Sequence, residues 1–290
     1  MKRIFLFIVT NLAVLAVLSV VVFVIEQVFG VRLAGGGLRG LLIFAAVFGF
    51  GGALISLAMS KWTAKRMMGV RVITAPQSDV ESWLLATVKR LADQAHIGMP
   101  EVGIFDAQEM NAFATGARRN AALVAVSSGL LRSMSRPQAE AVLGHEISHV
   151  ANGDMVTLAL LQGVLNTFVI FLARVIGGIV DKALFKNERG ESGIGFFLTT
   201  MVAQIVLGIA ASVIVAWYSR RREFRADRGG ADLAGTASMI GALEVLKRSQ
   251  GEPMPPQMQA FGINTGSTHG FMRLFMSHPP LDERIAALQS

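Results

Sequence analysis

The chain has 290 residues, 52% of them hydrophobic and 16% charged, with a net charge of +7 and no cysteine. That composition is too apolar for an ordinary soluble domain and points to membrane spans. The lack of cysteine excludes disulfides and thiolate metal sites, so any metal must be held by histidine and carboxylate; the basic residues gather beside apolar runs, where topology signals and anionic lipid account for them better than nucleic acid does.

Behind Lys2 and Arg3, residues 4–25 form an almost unbroken apolar run long enough to cross a bilayer. It exceeds the apolar core of a signal peptide and a second run comes soon after, so it reads as a retained anchor rather than a cleaved leader. A glycine-rich turn at 30–40 leads into the second run, 41–59, where Gly49, Gly51 and Gly52 allow close helix approach. Lys61, Lys65, Arg66 and Arg71 come at once after it. The two runs predict a transmembrane hairpin, and basic residues at its open ends place the N terminus and the segment after Met59 in the cytoplasm, against the weaker signal of Arg32 and Arg39 in the turn.

Residues 62–136 have a soluble character. The alternation at 70–74 predicts a strand. Ser78 and Glu81 form a capping-box pair that opens a helix with Leu84, Val88, Leu91 and Ala95 on one face. Short strands are predicted at 102–105, 111–115 and 123–127, separated by glycine and polar residues. An edge strand in such a sheet can pair with an extended peptide by main-chain hydrogen bonds, or can serve only to support the next helix; the pattern leaves both open.

Ser135 and Gln138 form a second capping-box pair, Pro137 falls in the first turn, and a helix is predicted through His145-Glu146-Ile147-Ser148-His149. Positions i and i+4 share a helix face, so His145 and His149 can offer two imidazole nitrogens to one metal ion. Glu146 stands one step round the helix, in reach of a metal-bound water without being a ligand. A third apolar run, 157–180, begins almost directly; a loop of mixed charge, 181–193, separates it from a fourth, 194–218. Arg220, Arg221, Arg222 and Arg225 put that end in the cytoplasm as well. Of the polar residues within the runs (Asn11, Glu26, Asn166, Arg174 and Gln204), Glu26 and Arg174 lie near span ends, where snorkelling to the interface explains them better than a transport path.

A catalytic zinc site takes three protein ligands and a water. Glu223, just past the fourth run, completes a His, His, Glu set of the thermolysin type, and Asp227, four residues on, can accept the free N–H of a ligand histidine. A tight hairpin of the third and fourth spans would bring His149 and Glu223 together above the membrane surface. An amphipathic helix is predicted at 232–247 and a loop at 251–270, in which Met254, Met258 and Phe261 read as core rather than as a groove lining. His96 and His269 sit in no motif.

Three stretches together resemble the HtpX family of bacterial membrane zinc metalloproteases, related to the CAAX prenyl endopeptidases. They are His145 to Asp154 (H-E-I-S-H-V-A-N-G-D), Glu223 to Asp227, and Asn111-Ala112-Phe113-Ala114-Thr115-Gly116. Length and span count agree. The resemblance implies a heat-shock protease of the inner membrane that removes misfolded or damaged membrane proteins, with its active site facing the cytoplasm. It implies that Asn111, Ala112, Phe113, Ala114 and Thr115 form the substrate-pairing strand, and that His278 and Arg284 lie near the cleft, where a cation or N–H donor can stabilise an oxyanion.

The expected fold is mainly α with a small β-sheet: a four-span integral membrane protein carrying a gluzincin-type metallopeptidase domain on the cytoplasmic side. The expected parts are a transmembrane hairpin at 1–60, a protease part at 61–156, a second hairpin at 157–218 and a second protease part at 219–290. The expected activity is peptide hydrolysis with one Zn2+ per chain, held by His145, His149 and Glu223, with Glu146 as general base. Catalytic help is expected from His278 and Arg284. The expected partners are membrane-protein or unfolded polypeptide substrates and the lipid bilayer, with no nucleic acid; oligomeric state is not legible. Three other readings stand beside this one: a prenyl-protein endopeptidase, a non-enzymatic membrane protein with a structural zinc, and a transporter built on the intramembrane polar groups.

Overall fold

A computed structural model describes residues 37–185, 193–250 and 272–290. The first expected span, Glu26, most of the loop at 181–193 and all of that at 251–270 lie outside these residues. The described chain is mostly helical, with one four-stranded mixed sheet and three helices long and apolar enough to cross a membrane. It divides into two compact units, whose described parts are residues 37–56 with 157–185 and 193–215, and residues 57–156 with 216–250 and 272–290.

The long helices are α1 (Gly37–Met67), α5 (Asp154–Phe185) and α6 (Ile194–Ala234). In the first unit, Leu38, Leu41, Leu42 and Ala45 of α1 cluster with Phe171 and Val175 of α5. Gly49 marks a close helix approach: a Cβ there would stand 2.6 Å from the Thr167 backbone nitrogen. Gly51 and Gly52, expected to serve the same purpose, meet nothing within 4 Å among the described residues. The Arg174 guanidinium lies 4.5 Å over the Phe44 ring, and Asn166 is exposed.

The second unit is built on the sheet. Its strands are β1 (Arg71–Val72), β2 (Glu101–Phe105), β3 (Ala112–Thr115) and β4 (Leu123–Ser127), in the order β1-β2-β4-β3. The β2–β4 pair is parallel and the two outer pairs are antiparallel. All five residues of β4 are buried, as a central strand covered on both faces requires.

Helix α2 (Asp79–Gln94) lays Leu84, Val88 and Leu91 on this sheet. Its cap is half the expected box. Ser78 Oγ accepts the Glu81 N–H at 3.2 Å, but Glu81 turns its carboxylate to Arg71, at 2.6 Å, and to the Gln77 N–H, at 2.8 Å. A charged partner within reach outcompetes the neutral cap N–H. A short helix, α3 (Ser128–Ser133), leads from β4 to α4 (Arg136–Asn152), whose Leu143, Ile147 and Val150 join Val124, Val126 and Leu91 in one core.

The fourth apolar run does not end its helix at Tyr218. It continues through the arginines to Ala234, and Gly235, at φ 92°, ends it. Asp232, expected to open the next helix, therefore belongs to α6, and α7 spans Thr236–Gln250. Only the left-handed turn that glycine adopts freely stops the helix there. Helix α8 (Leu281–Gln289) packs its Leu281, Ile285 and Leu288 on the cluster that holds Met239 and Leu243 of α7.

Candidate metal centre

Helix α4 carries the motif and is pinned at both ends. At its start Ser135 and Gln138 form the full capping box. At its end Gly153 turns left-handed, at φ 70°, and its N–H satisfies the carbonyls of His149 and Val150. His145 and His149 lie one turn apart and are both 7% exposed, with rings edge to face at 4.6 Å.

Glycines let the second helix approach. A Cβ on Gly144 of α4 would stand 3.3 Å from the Gly230 backbone, one on Gly230 would stand 3.0 Å from the His145 backbone nitrogen, and one on Gly229 would stand 2.8 Å from Ser148 Cβ. With no side chain between them, the backbones of α4 and α6 draw together and Glu223 reaches both histidines. Glu223 Oε1 is 3.3 Å from His149 Nε2, and Oε2 is 3.5 Å from His145 Nε2. The two Nε2 atoms are 3.1 Å apart.

The far nitrogens face carboxylates. His145 Nδ1 lies 2.9 Å from Asp227 Oδ1, an ion-pair contact off the hydrogen-bond line. His149 Nδ1 hydrogen-bonds Asp154 Oδ2 at 2.7 Å. Each carboxylate meets an arginine in turn. Arg284 grips Asp227 with two hydrogen bonds of 2.7 and 2.5 Å, and Arg225 donates to Asp154 Oδ1 at 3.4 Å. Burial works against charge on the imidazole of His149, but Asp154 and then Glu223 outweigh it and lift its pKa to about 9. His145 is raised in the same way, burial opposed by Asp227 and Glu223. Arg284 is raised despite its burial, because Asp227 holds the charged form.

This donor set fits a metal. With each Nδ1 turned to a carboxylate, both Nε2 lone pairs face the Glu223 oxygens, and Glu223 Oε1 is buried with no hydrogen-bond partner among the described residues. Converging lone pairs in a buried place call for a positive charge, which protons supply only by raising the histidine pKa values. His145, His149 and Glu223 are the group among the described residues whose ligand atoms lie within 4.8 Å of one another.

The structure also places the other expected site residues. Glu146 is half-buried. His278 is exposed and its Nδ1 lies 2.9 Å from Glu223 Oε2. The guanidinium of Arg284 is committed to Asp227, with one nitrogen 3.7 Å from Glu223 Oε2. Ala112, Phe113, Ala114 and Thr115 form the edge strand β3, with Asn111 just before it exchanging backbone and side-chain hydrogen bonds with Ser127. Ala112 and Ala114 pack on the core that holds Leu143 and Ile147 of α4.

Asp154 and Arg225 do not stand out in the sequence as site residues. On an unbroken helix a residue five past His149 is about 140° round from it; the Gly153 turn brings Asp154 back. The glycine pair at 229 and 230 is a signal that sequence reasoning missed, since two adjacent glycines in a long helix mark a close approach.

A helix-borne His-Glu-x-x-His whose imidazoles meet a glutamate from a second helix is the donor set of a metallopeptidase. The profile of Peptidase family M48 matches residues 78–290, and the chain belongs to that family. Protease HtpX of Alkalilimnicola ehrlichii is 63% identical over 295 residues, covering 100% of this chain and 98% of that protein. Protease HtpX homolog of Thiobacillus denitrificans is 60% identical over 290 residues, covering 100% and 99%. The fold is similar to that in the crystal structure of S. mikatae Ste24p, with a TM-score of 0.64 at 17% identity, covering 100% of this chain and 67% of that one. The protein is thus a membrane metallopeptidase.

Proposed function

We propose that the chain is a zinc endopeptidase of the bacterial inner membrane that hydrolyses misfolded or damaged membrane proteins and unfolded polypeptides, with its N terminus and active site on the cytoplasmic side. The observation that carries this is the convergence of His145, His149 and Glu223. The two Nε2 atoms are 3.1 Å apart, the Glu223 carboxylate meets each of them with a different oxygen, at 3.3 and 3.5 Å, and one ligand atom from each residue lies within 4.8 Å of the others. Two imidazoles and one carboxylate suit zinc, where an all-oxygen set would suit magnesium or calcium. Basic residues in the last turns of α1 (Lys61, Lys65 and Arg66) and within α6 (Arg220, Arg221, Arg222 and Arg225) support the orientation.

When bound, zinc lowers the pKa of a water and polarises the scissile carbonyl. Glu146 takes the proton of the attacking water and passes it to the leaving amine nitrogen. Asp227 faces His145 Nδ1 at 2.9 Å, and its charge favours the proton on that nitrogen, leaving Nε2 for the metal. Arg284 neutralises the buried Asp227, which makes it a positioning residue rather than an oxyanion donor. His278, exposed and next to Glu223, is the remaining candidate to donate to the oxyanion. The edge strand β3 supports pairing with extended substrate from Asn111 to Thr115, since among the described residues its outer edge pairs with no strand.

The test of the ligand set is metal content. Glu223→Ala is expected to lose zinc on dialysis, while Glu146→Ala keeps one equivalent. Full zinc in Glu223→Ala removes that residue from the set.

A further inference from the structure

We propose that Asp154, steadied by Arg225, is the residue that positions His149 for the metal, a role that rests on the metal-site reading above. Asp154 is the first residue of the apolar helix α5. An acidic residue there has an ordinary explanation, the positive end of the helix dipole, which makes no directional demand on the side chain. Asp154 does not fit it. Its side chain is 1% exposed, and its two oxygens are both committed. Oδ2 accepts from His149 Nδ1 at 2.7 Å, and Oδ1 accepts from Arg225 at 3.4 Å. The first bond fixes the tautomer with hydrogen on Nδ1, so Nε2 presents its lone pair toward Glu223. It also fixes the ring plane, because the Nδ1–Oδ2 line leaves the imidazole no free rotation.

The two histidines are therefore held by two different devices. His145 is oriented from α6, by Asp227 in the grip of Arg284. His149 is oriented from the head of α5, by an aspartate that reaches it only because Gly153 breaks the helix between them. The Arg225 contact with Asp154, at 3.4 Å, is longer than the 2.7 Å bond between Asp154 and His149, so it adds less restraint.

The experiment uses the full-length protein in detergent, with zinc affinity measured by chelator competition. Cobalt absorption reports ligand geometry, and melting of the metal-free protein checks folding. Asp154→Ala is expected to weaken zinc about 10–100-fold and to shift the cobalt bands. Asp154→Asn keeps an acceptor without the charge and loses less. Arg225→Gln weakens zinc in the same direction by a smaller factor, and it serves as the test if Asp154→Ala does not fold. Arg221→Gln, whose guanidinium stacks 4.6 Å over Trp217, leaves affinity unchanged. Zinc affinity within twofold of wild type in a folded Asp154→Ala, with only melting lowered, overturns the proposal and returns Asp154 to a helix-end role. A wild-type protein that binds no zinc defeats the metal-site reading itself, a separate outcome.

Discussion

Gly229→Ala adds one methyl group at the contact between α4 and α6. Its Cβ would stand 2.8 Å from Ser148 Cβ and closer still to Ser148 Oγ. Carbon atoms pack at about 3.5–4.0 Å, so the helices must part by roughly 1 Å at this level or Ser148 must leave its rotamer. Overpacking of this kind costs about 1–3 kcal/mol. The larger effect falls on the metal, because the ligand atoms from the two helices are only 3.3 and 3.5 Å apart and a 1 Å shift is about a third of that. Zinc affinity is expected to fall with stability. Ser148→Gly removes both clashing atoms, so the double variant regains zinc affinity relative to Gly229→Ala, even though glycine in a helix costs about 1 kcal/mol. Chelator competition and thermal melting of the four proteins complete the cycle. If Gly229→Ala binds zinc and melts like wild type, the claim that glycine contact sets the ligand geometry is refuted.

Arg284→Met leaves Asp227 buried without its cation and is expected to destabilise the fold by about 3–5 kcal/mol; an unchanged melting temperature contradicts the pairing. The raised pKa of His149 gives a pH dependence. In the metal-free fold it stands at about 9 against an ordinary 6.5, so its stabilisation is complete below 6.5 and is lost as pH rises through 9. Metal-free protein therefore melts lower at about pH 10 than at about pH 6.5, where the proton is bound. Zinc competes with that proton and binds more tightly over the same rise. Zinc affinity that does not change between these pH values argues against the His149 assignment.

The motif at 145–149 is legible because i, i+4 spacing has one geometric meaning on a helix, and the structure brings Glu223 to both imidazoles. The strands at 102–105 and 123–127 are legible from apolar runs between turns, but their parallel pairing is not, since it depends on the long return through β3. Glu81 reads as a cap partner because local spacing cannot show that Arg71 lies within 2.6 Å. Asp154 closes the quoted stretch, but its contact with His149 is not legible, because the five-residue offset looks wrong until the Gly153 turn is known. Composition places the end of α6 too early because a change from apolar to charged residues ends a span, not a helix, and the stop is set by the backbone of Gly235.

The central claim is that a metal held by His145, His149 and Glu223 makes this chain a peptidase with Glu146 as its base. The most direct measurement tracks cleavage of an unfolded or membrane test substrate by protein purified in detergent with chelator, before and after zinc is added, for wild type and Glu146→Ala. The account predicts cleavage by wild type on zinc addition and none by the variant, with one zinc bound in both. Equal cleavage by the two proteins, or none by either at full zinc loading, would contradict it.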